Sequence, residues 1–259
     1  MPQSASYRSY FALSYSGIKK LMISPKHFWA WHHRSHEEST SDMTLGTLTH
    51  LLLLEPHREA SDIAVWTGKV KNGKVWDKFE EENSNKLIVK PAELAQARSM
   101  VASILENPMV KNALRQPSGK AEYEFMGVDE VFEVPVKCGF DWITDAMILD
   151  PKKTGGTIKE FEQHSIYKYG YHIQAAFYTR LAKLIDGKER MFGWIVVEDK
   201  EPHECQIVLP HPQHMIDGEA IVDEALAKFM ICMRDKQWPG YGEYIKTAEL
   251  PAWLQQKKV

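Results

Sequence analysis

Residues 137–154, KCGFDWITDAMILDPKKT, leave a chain few ways to fold. Two runs, 138–144 and 146–151, alternate or stay apolar as strands do, and Thr144-Asp145 supplies a tight turn between them, so the stretch reads as a β-hairpin. On paired neighbouring strands Asp141 and Asp150 can face the same end of a sheet. Lys152, two residues past Asp150, points to the same side because strand side chains alternate. Two carboxylates and an ammonium that converge are what metal-assisted phosphodiester hydrolysis requires: acids to hold a hard divalent cation, and a cation beside them to orient the attacking water. Asp-Pro-Lys-Lys also describes a solvated turn at a strand edge, since Pro151 cannot donate to a ladder. Short D-x-K strings are common, so other residues have to decide between the two readings.

Length and charge leave room for the enzyme. With 259 residues, 44% of them hydrophobic, the chain can bury a core as one large domain, which excludes a disordered protein. A formal charge of −3 excludes a uniformly basic nucleic-acid coat but not an enzyme that grips phosphates through metals and local lysines. Cys138, Cys205 and Cys232 are odd in number and far apart. They form neither a disulfide framework nor a CxxC metal site, and they point to a reducing, cytoplasmic compartment. The opening MPQSASYRSY lacks the basic-then-apolar pattern of a secretory signal, and the run Leu51 to Leu54 is far too short to span a bilayer, so no membrane association is expected.

Ahead of the hairpin, Ser14 or Ser16 is expected to cap a short helix that ends near Ser24-Pro25. A second short helix carries Phe28, Trp29 and Trp31, rings that fit core packing at helical spacing or stacking on bases. Residues 43–55, MTLGTLTHLLLLE, are apolar almost all round and stop at Pro56, which describes a buried helix. His50 within it reads either as a hydrogen-bonded core residue or as a ligand. Gly46, one turn earlier on the same face, would let a backbone or a substrate approach it. Lys69, Lys71, Lys74 and Lys78 surround Asn72-Gly73 in a basic turn that either tracks a phosphate backbone or is an ordinary solvated loop. Residues 91–106 form an amphipathic helix with Leu94, Met100, Val101 and Leu105 as core-facing candidates.

Strands over 122–125 and 131–136 are expected to join the hairpin in an antiparallel meander, with Glu122 facing the same cation or standing as an ordinary strand-surface acid. A long helix over 161–184 puts Gln174 and Tyr178 on one face at i, i+4. Strands at 191–197 and 205–209, a helix over 218–235 and a tail over 238–253 complete an α/β chain with a mixed central sheet flanked by helices.

Taken in order, His50 in LGTLTH, Glu122, Gly139-Phe140-Asp141, Asp150-Pro151-Lys152 and Gln174-Ala175-Ala176-Phe177-Tyr178 resemble the PD-(D/E)xK nucleases of the RecB-like group. The resemblance is greatest to the RecE-type, exodeoxyribonuclease VIII-like exonucleases of phages and prophages. It spans residues 13–253, including the tail marks Trp238-Pro239 and Leu250-Pro251-Ala252-Trp253. Each motif is short, but five in one order on compatible elements carry weight together. The resemblance implies a restriction-endonuclease-like core in a single nuclease domain, 1–259. That domain divides into a mainly helical part, 1–115, carrying His50, a catalytic sheet and crossover helix, 116–210, and a C-terminal helix and tail, 211–259.

Carried onto these residues, the resemblance makes Asp141 and Asp150 metal-bridging carboxylates, with His50 and Glu122 completing the coordination or its surroundings and the Pro151 backbone carbonyl at the middle position. Lys152 would position and polarise the water. Gln174 and Tyr178 would hold the scissile nucleotide or the active-site lysine, and Lys153 would join Lys69, Lys71 and Lys74 on the DNA backbone. Because Pro151 has no N–H, the strand is expected to be irregular there. The implied activity is a two-metal deoxyribonuclease. Mg²⁺ suits the oxygen ligands, and a histidine nitrogen favours Mn²⁺. It would resect double-stranded DNA ends, 5′→3′, for recombination, beside a single-strand annealing protein and as a ring-shaped homo-oligomer. A structure-selective endonuclease and a non-catalytic DNA-binding member of the fold are the alternatives, and the latter is expected to lack part of the trio that is intact here. Ser24 stands where some relatives carry a cluster cysteine, and three scattered cysteines cannot build a four-thiolate iron–sulfur cluster.

Overall fold

The computed structural model describes residues 4–33, 41–242 and 245–248, so Leu250, Pro251, Ala252 and Trp253 lie outside the described residues. The strands are β1 Ile63–Val65, β2 Leu87–Val89, β3 Lys120–Val128, β4 Pro135–Ile143, β5 Met147–Thr154, β6 Met191–Glu198 and β7 Cys205–Val208. β3 to β7 form one sheet in chain order, antiparallel except for the β5–β6 pair; β1 and β2 make a separate parallel pair. A parallel pair cannot be joined by a tight turn. The connection here is helical, through α9 Ile158–Glu160, a π-helical turn Phe161–Ser165, α10 Ile166–Lys168 and α11 Tyr171–Asp186. The remaining helices are α1 Ala5–Ser9, α2 Tyr15–Ile23, α3 Pro25–His32, α4 Ser41–Leu54, α5 Glu59–Asp62, α6 Lys74–Glu82, α7 Pro91–Glu106, α8 Pro108–Ala113 and α12 Pro212–Asp235. This is the mixed sheet flanked by helices that the sequence pattern indicates. Among the described residues no helix is long and apolar enough to cross a membrane.

Both faces of the sheet are covered, which explains why its central strands read as continuous apolar runs. Ile148, Trp194 and Val196 point into a core shared with Leu13, Ile18, Phe28, Phe177, Leu226 and Phe229. Their strand neighbours Leu149, Ile195 and Val197 point the other way, into Leu48 and Leu52 of α4 and Met100 and Ile104 of α7. The sequence before α2 is tied to the sheet as well. Leu13 N–H donates to Pro135 O at 2.9 Å, Lys137 N–H donates to Leu13 O at 2.9 Å, and the Lys137 ammonium donates to Tyr7 O and Tyr10 O.

Several local expectations need correction. The strand expected over 131–136 is instead a turn followed by β4. Asp129 Oδ1 accepts from Val131 N–H and Phe132 N–H, Glu133 takes φ 54°, and the same carboxylate is clamped by Arg180 at 2.6 Å. The helix expected over 161–184 is interrupted by the π-helical turn and again at Gly170, whose φ of 75° no side chain there would favour. In α7 Met100 is buried and Leu94 and Val101 pack against the core as expected, but Leu105 is exposed and Ala97 and Ile104 complete the buried stripe. Finally α12 starts at Pro212 rather than Gly218. Gly218 sits inside the helix because α11 crosses there: a Cβ on it would come 2.4 Å from His172 O.

Candidate active site

The hairpin is a fork. β4 and β5 pair only at Trp142↔Leu149 and Ile143↔Ile148 and then part, so Asp141 and Asp150, next in register, stand where the prongs separate. The strand expected to be irregular, β5, is not: it keeps an unbroken register with β6 from Met147 to Thr154, Pro151 included. On its β4 side β5 has no ladder beyond Leu149, and a residue without an N–H is tolerated beside such an edge. The irregularity lies across the hairpin instead. Glu122 has φ 49°, and Glu122–Asp141 is the one pair missing from an otherwise continuous β3–β4 register. Alternation breaks at the same place, since Phe140 and Ile143, three residues apart, enter the same core while Trp142 packs on the other face. A left-handed non-glycine residue is strained, and such strain collects where side chains must be re-aimed. Here it frees both acids from the ladder.

α4 brings the third group. Leu48, Leu51 and Leu52 seat this helix on the sheet, and His50 sits between the carboxylates, with Nδ1 3.1 Å from Glu122 Oε1 and Nε2 3.0 Å from Asp141 Oδ2. Burial pulls the imidazole pKa down, but the Asp141 charge and hydrogen bond, with Glu122 behind them, outweigh it and hold the group above its ordinary value. Asp141 is correspondingly held below the usual carboxylate range: burial works against this, and the His50 charge and hydrogen bond prevail. Glu122 is pushed up, first by burial. One donor atom from each of His50, Glu122 and Asp141 falls within a 4.8 Å span.

Asp150 is buried, with only 1% of its surface exposed. Gln174 Nε2 donates to its Oδ1 at 2.6 Å, and Lys152 pairs with its Oδ2. Burial raises the carboxyl to about 7 despite the nearby ammonium. Lys152 moves up too: burial lowers it, but Asp150 and Asp141 more than compensate. Among the described residues, Glu122 Oε1 and Asp150 Oδ2 are buried and held by the His50 and Lys152 charges rather than by an aligned hydrogen bond. Buried carboxylate oxygens with lone pairs left over in this way suit a bound cation. The grouped donors, the carboxylates of Glu122 and Asp141 and the imidazole of His50, fit a divalent cation.

His50, Asp141 and Lys152 open onto a cleft of about 750 Å³, lined also by Gly46, Pro151 and Lys153 among others, while Glu122 and Asp150 stand behind that lining. An added Cβ at Gly46 would meet nothing within 4 Å, so the missing side chain clears space on the cleft side of His50 rather than for a packed backbone.

Other expected site residues are placed differently. Gln174 holds Asp150, neither a lysine nor the open cleft. Tyr178 is not a cleft residue: its ring packs edge-on against Phe140 and Phe192, at 5.4 and 6.4 Å. Lys153 lines the cleft and lies 3.5 Å from Asp199. Lys69, Lys71 and Lys74 are exposed around α6, outside the cleft lining, with Lys71 over the Trp76 ring.

The residue that sequence reasoning missed is Tyr171. It lines the cleft, and its ring lies 5.1 Å below the Lys152 ammonium. The available signal was its position three residues before Gln174, on the same face of α11.

A meander, a helical crossover to a parallel strand, and acids at a splayed hairpin followed by a lysine define the PD-(D/E)xK type of fold. The chain belongs to the family described as "PDDEXK-like domain of unknown function (DUF3799)", which matches residues 14–251. A crystal structure from Eubacterium rectale, of a protein named "Putative exonuclease", shares the fold with a TM-score of 0.63 at 14% identity, covering 100% of each chain. A second structure, SSO0001, has 12% identity over 82% of this chain and 84% of its own, with a TM-score of 0.28, too low to bear on the argument. None of the curated proteins compared with this chain matches it.

Proposed function

We propose that this protein is a divalent-metal-dependent deoxyribonuclease that degrades duplex DNA from its ends. The observation that carries the reading is that His50, Asp141 and Lys152 line one cleft, with Glu122 and the buried Asp150 held directly behind them as partners of His50 and Lys152. His50, Glu122, Asp141 and Asp150 would hold the cation, with the Pro151 carbonyl beside them. The bound ion would supply a more acidic water and neutralise charge on the leaving oxygen. Lys152, anchored between Asp150 and the Tyr171 ring, orients that water and favours its deprotonated form. Gln174 fixes Asp150 so that its second oxygen stays directed at the site.

Action on ends follows from the motif order and agrees with the name of the Eubacterium rectale protein. The proposed polarity is 5′→3′, the assembly a homo-oligomeric ring, and the context recombination beside a single-strand annealing protein. A net charge of −3 gives little long-range attraction for a polyanion, so remaining on DNA through many cycles calls for enclosure or for local contacts. Lys69, Lys71, Lys74 and Lys153 are the proposed backbone contacts.

The test offers blunt linear duplex, nicked circle and closed circle with Mg²⁺ or Mn²⁺, then with EDTA. Linear duplex should disappear from its ends only when the cation is present. Asp150→Ala and Lys152→Ala should each lower the rate by about 10²–10⁴. Equal cutting of closed circles would establish an endonuclease, and no cleavage with any cation would leave a DNA-binding protein.

A further inference from the structure

We infer that Tyr169, on the rim of the cleft, is a stacking platform for an unpaired nucleobase of the strand being cut. This rests on the nuclease reading above and adds a substrate contact that the acid–lysine site does not supply.

Three rings lead outward from the catalytic lysine. Phe161, buried in the π-helical turn, stacks on Tyr171 at 5.6 Å with 24° between planes. Tyr171 carries the Lys152 ammonium on its face and meets Tyr169 at 5.6 Å. Tyr169 ends the run with 48% of its surface exposed, and all three line the cleft. The chain is built to present that last ring. α10 stops at Lys168, Gly170 turns the backbone left-handed, and the Tyr169 carbonyl is pinned by the Tyr15 hydroxyl at 2.8 Å. The surroundings are cationic: the exposed Lys168 lies over the Tyr169 ring, 5.2 Å from its centre, and would swing from that face to the phosphate when a base takes its place, and Lys19 lies 4.7 Å from the ring centre of Tyr15. Exposed aromatic surface flanked by ammonium groups, continuous with a phosphodiester-cutting site, matches a base with its own phosphate. Tyr167 is a built-in contrast. It is also 48% exposed, but it is outside the cleft and its hydroxyl is bound to Asp217 at 2.7 Å, an acid that repels a polyanion.

The experiment measures binding of a fluorescent single-stranded oligodeoxynucleotide by anisotropy, in EDTA and low salt so that nothing is cut. An otherwise identical oligonucleotide with abasic sites is the second probe. Base–aromatic stacking predicts that Tyr169→Ala weakens binding by about 5- to 150-fold, that Tyr169→Phe restores it, and that Tyr167→Ala leaves it at the parental value. The abasic probe, which keeps the phosphates, should bind parent and Tyr169→Ala alike. Parental affinity in Tyr169→Ala, or an equal loss with the abasic probe, would overturn the platform. The same preparations are assayed on linear duplex with Mn²⁺. Cleavage by the parent together with unchanged binding by Tyr169→Ala would remove the platform and leave the nuclease, whereas a parent that neither binds nor cuts would remove both.

Discussion

Replacing Gln174 with leucine separates the structure's account of the site from the one that motif order implies. Gln174 is buried, and its amide donates to Asp150 Oδ1 at 2.6 Å, while its own carbonyl oxygen has no hydrogen-bond partner among the described residues. Leucine keeps most of the volume and removes the donor. A buried hydrogen bond to a charged acceptor is worth about 1.5–3 kcal/mol. Because that bond favours the ionised carboxylate, its loss should weaken cation binding near neutral pH by about 10- to 150-fold. Thermal stability should change less, because the substitution also removes the unsatisfied acceptor. Titration calorimetry with Mn²⁺ gives the affinity, and cleavage of linear duplex at rising Mn²⁺ gives the kinetic counterpart. Gln174→Leu should need more cation for half-maximal rate and approach the parental rate at saturation. A folded variant with parental Mn²⁺ affinity but a raised KM for DNA would refute this and return Gln174 to the nucleotide.

The other predictions follow from the same geometry. His50→Ala should lower Mn²⁺ affinity more than it lowers the melting temperature; parental affinity with a much lower melting temperature would make His50 a core residue. Gly218→Ala pushes a methyl to 2.4 Å from the His172 carbonyl, so it should cost about 1–3 kcal/mol in denaturant unfolding without changing the cation concentration needed for half-maximal rate. The metal-free protein should become less stable as pH rises from about 4 to 7. Asp150, pushed up to about 7 from the ordinary carboxylate value of 3.8 chiefly by burial, keeps in the fold a proton that the unfolded chain has released. Raised His50 acts in the same direction, its stabilisation being lost as pH climbs through its folded value. Asp150→Asn should flatten that slope in melting curves, and Mn²⁺ should stabilise the parent more at pH 8 than at pH 5 because binding displaces those protons.

Much of the hairpin was legible because alternation and turn chemistry are local properties. Asp141, Asp150 and Lys152 could be placed on neighbouring strands from spacing alone. The flip at Glu122 and Asp141 was not legible, because it depends on a left-handed residue in one strand and an absent pair in the other, and neither has a composition mark. The break at Gly170 was hidden for the opposite reason: apolar residues continue at helical spacing through Ile166 and Ile173, so the periodicity runs across a gap in the hydrogen bonding. Asp129 shows a third limit. Its turn depends on Arg180, fifty-one residues away, whereas the Val and Phe that follow it favour a strand locally. Tyr171 escaped notice because a tyrosine near the start of an amphipathic helix looks like any other boundary residue until the lysine above it is located.

The sheet's connectivity also sets an order in which the site can be assembled. β3, β4 and β5 are joined by short turns, so their contacts close small loops and can form early. β5 is completed on its other side only by β6, after the whole helical crossover has been threaded and docked, and that crossover also delivers Gln174 and Tyr171. During synthesis a nascent chain would therefore carry its acids on a half-built hairpin while Lys152 and Asp150 still lacked the walls that bury them. Cation affinity should appear late, together with protection of the β6 amides in pulsed hydrogen exchange. A chain released before Met191 would then hold Asp150 and Lys152 on a strand that lacks its parallel neighbour, and should bind the cation less well than the whole chain.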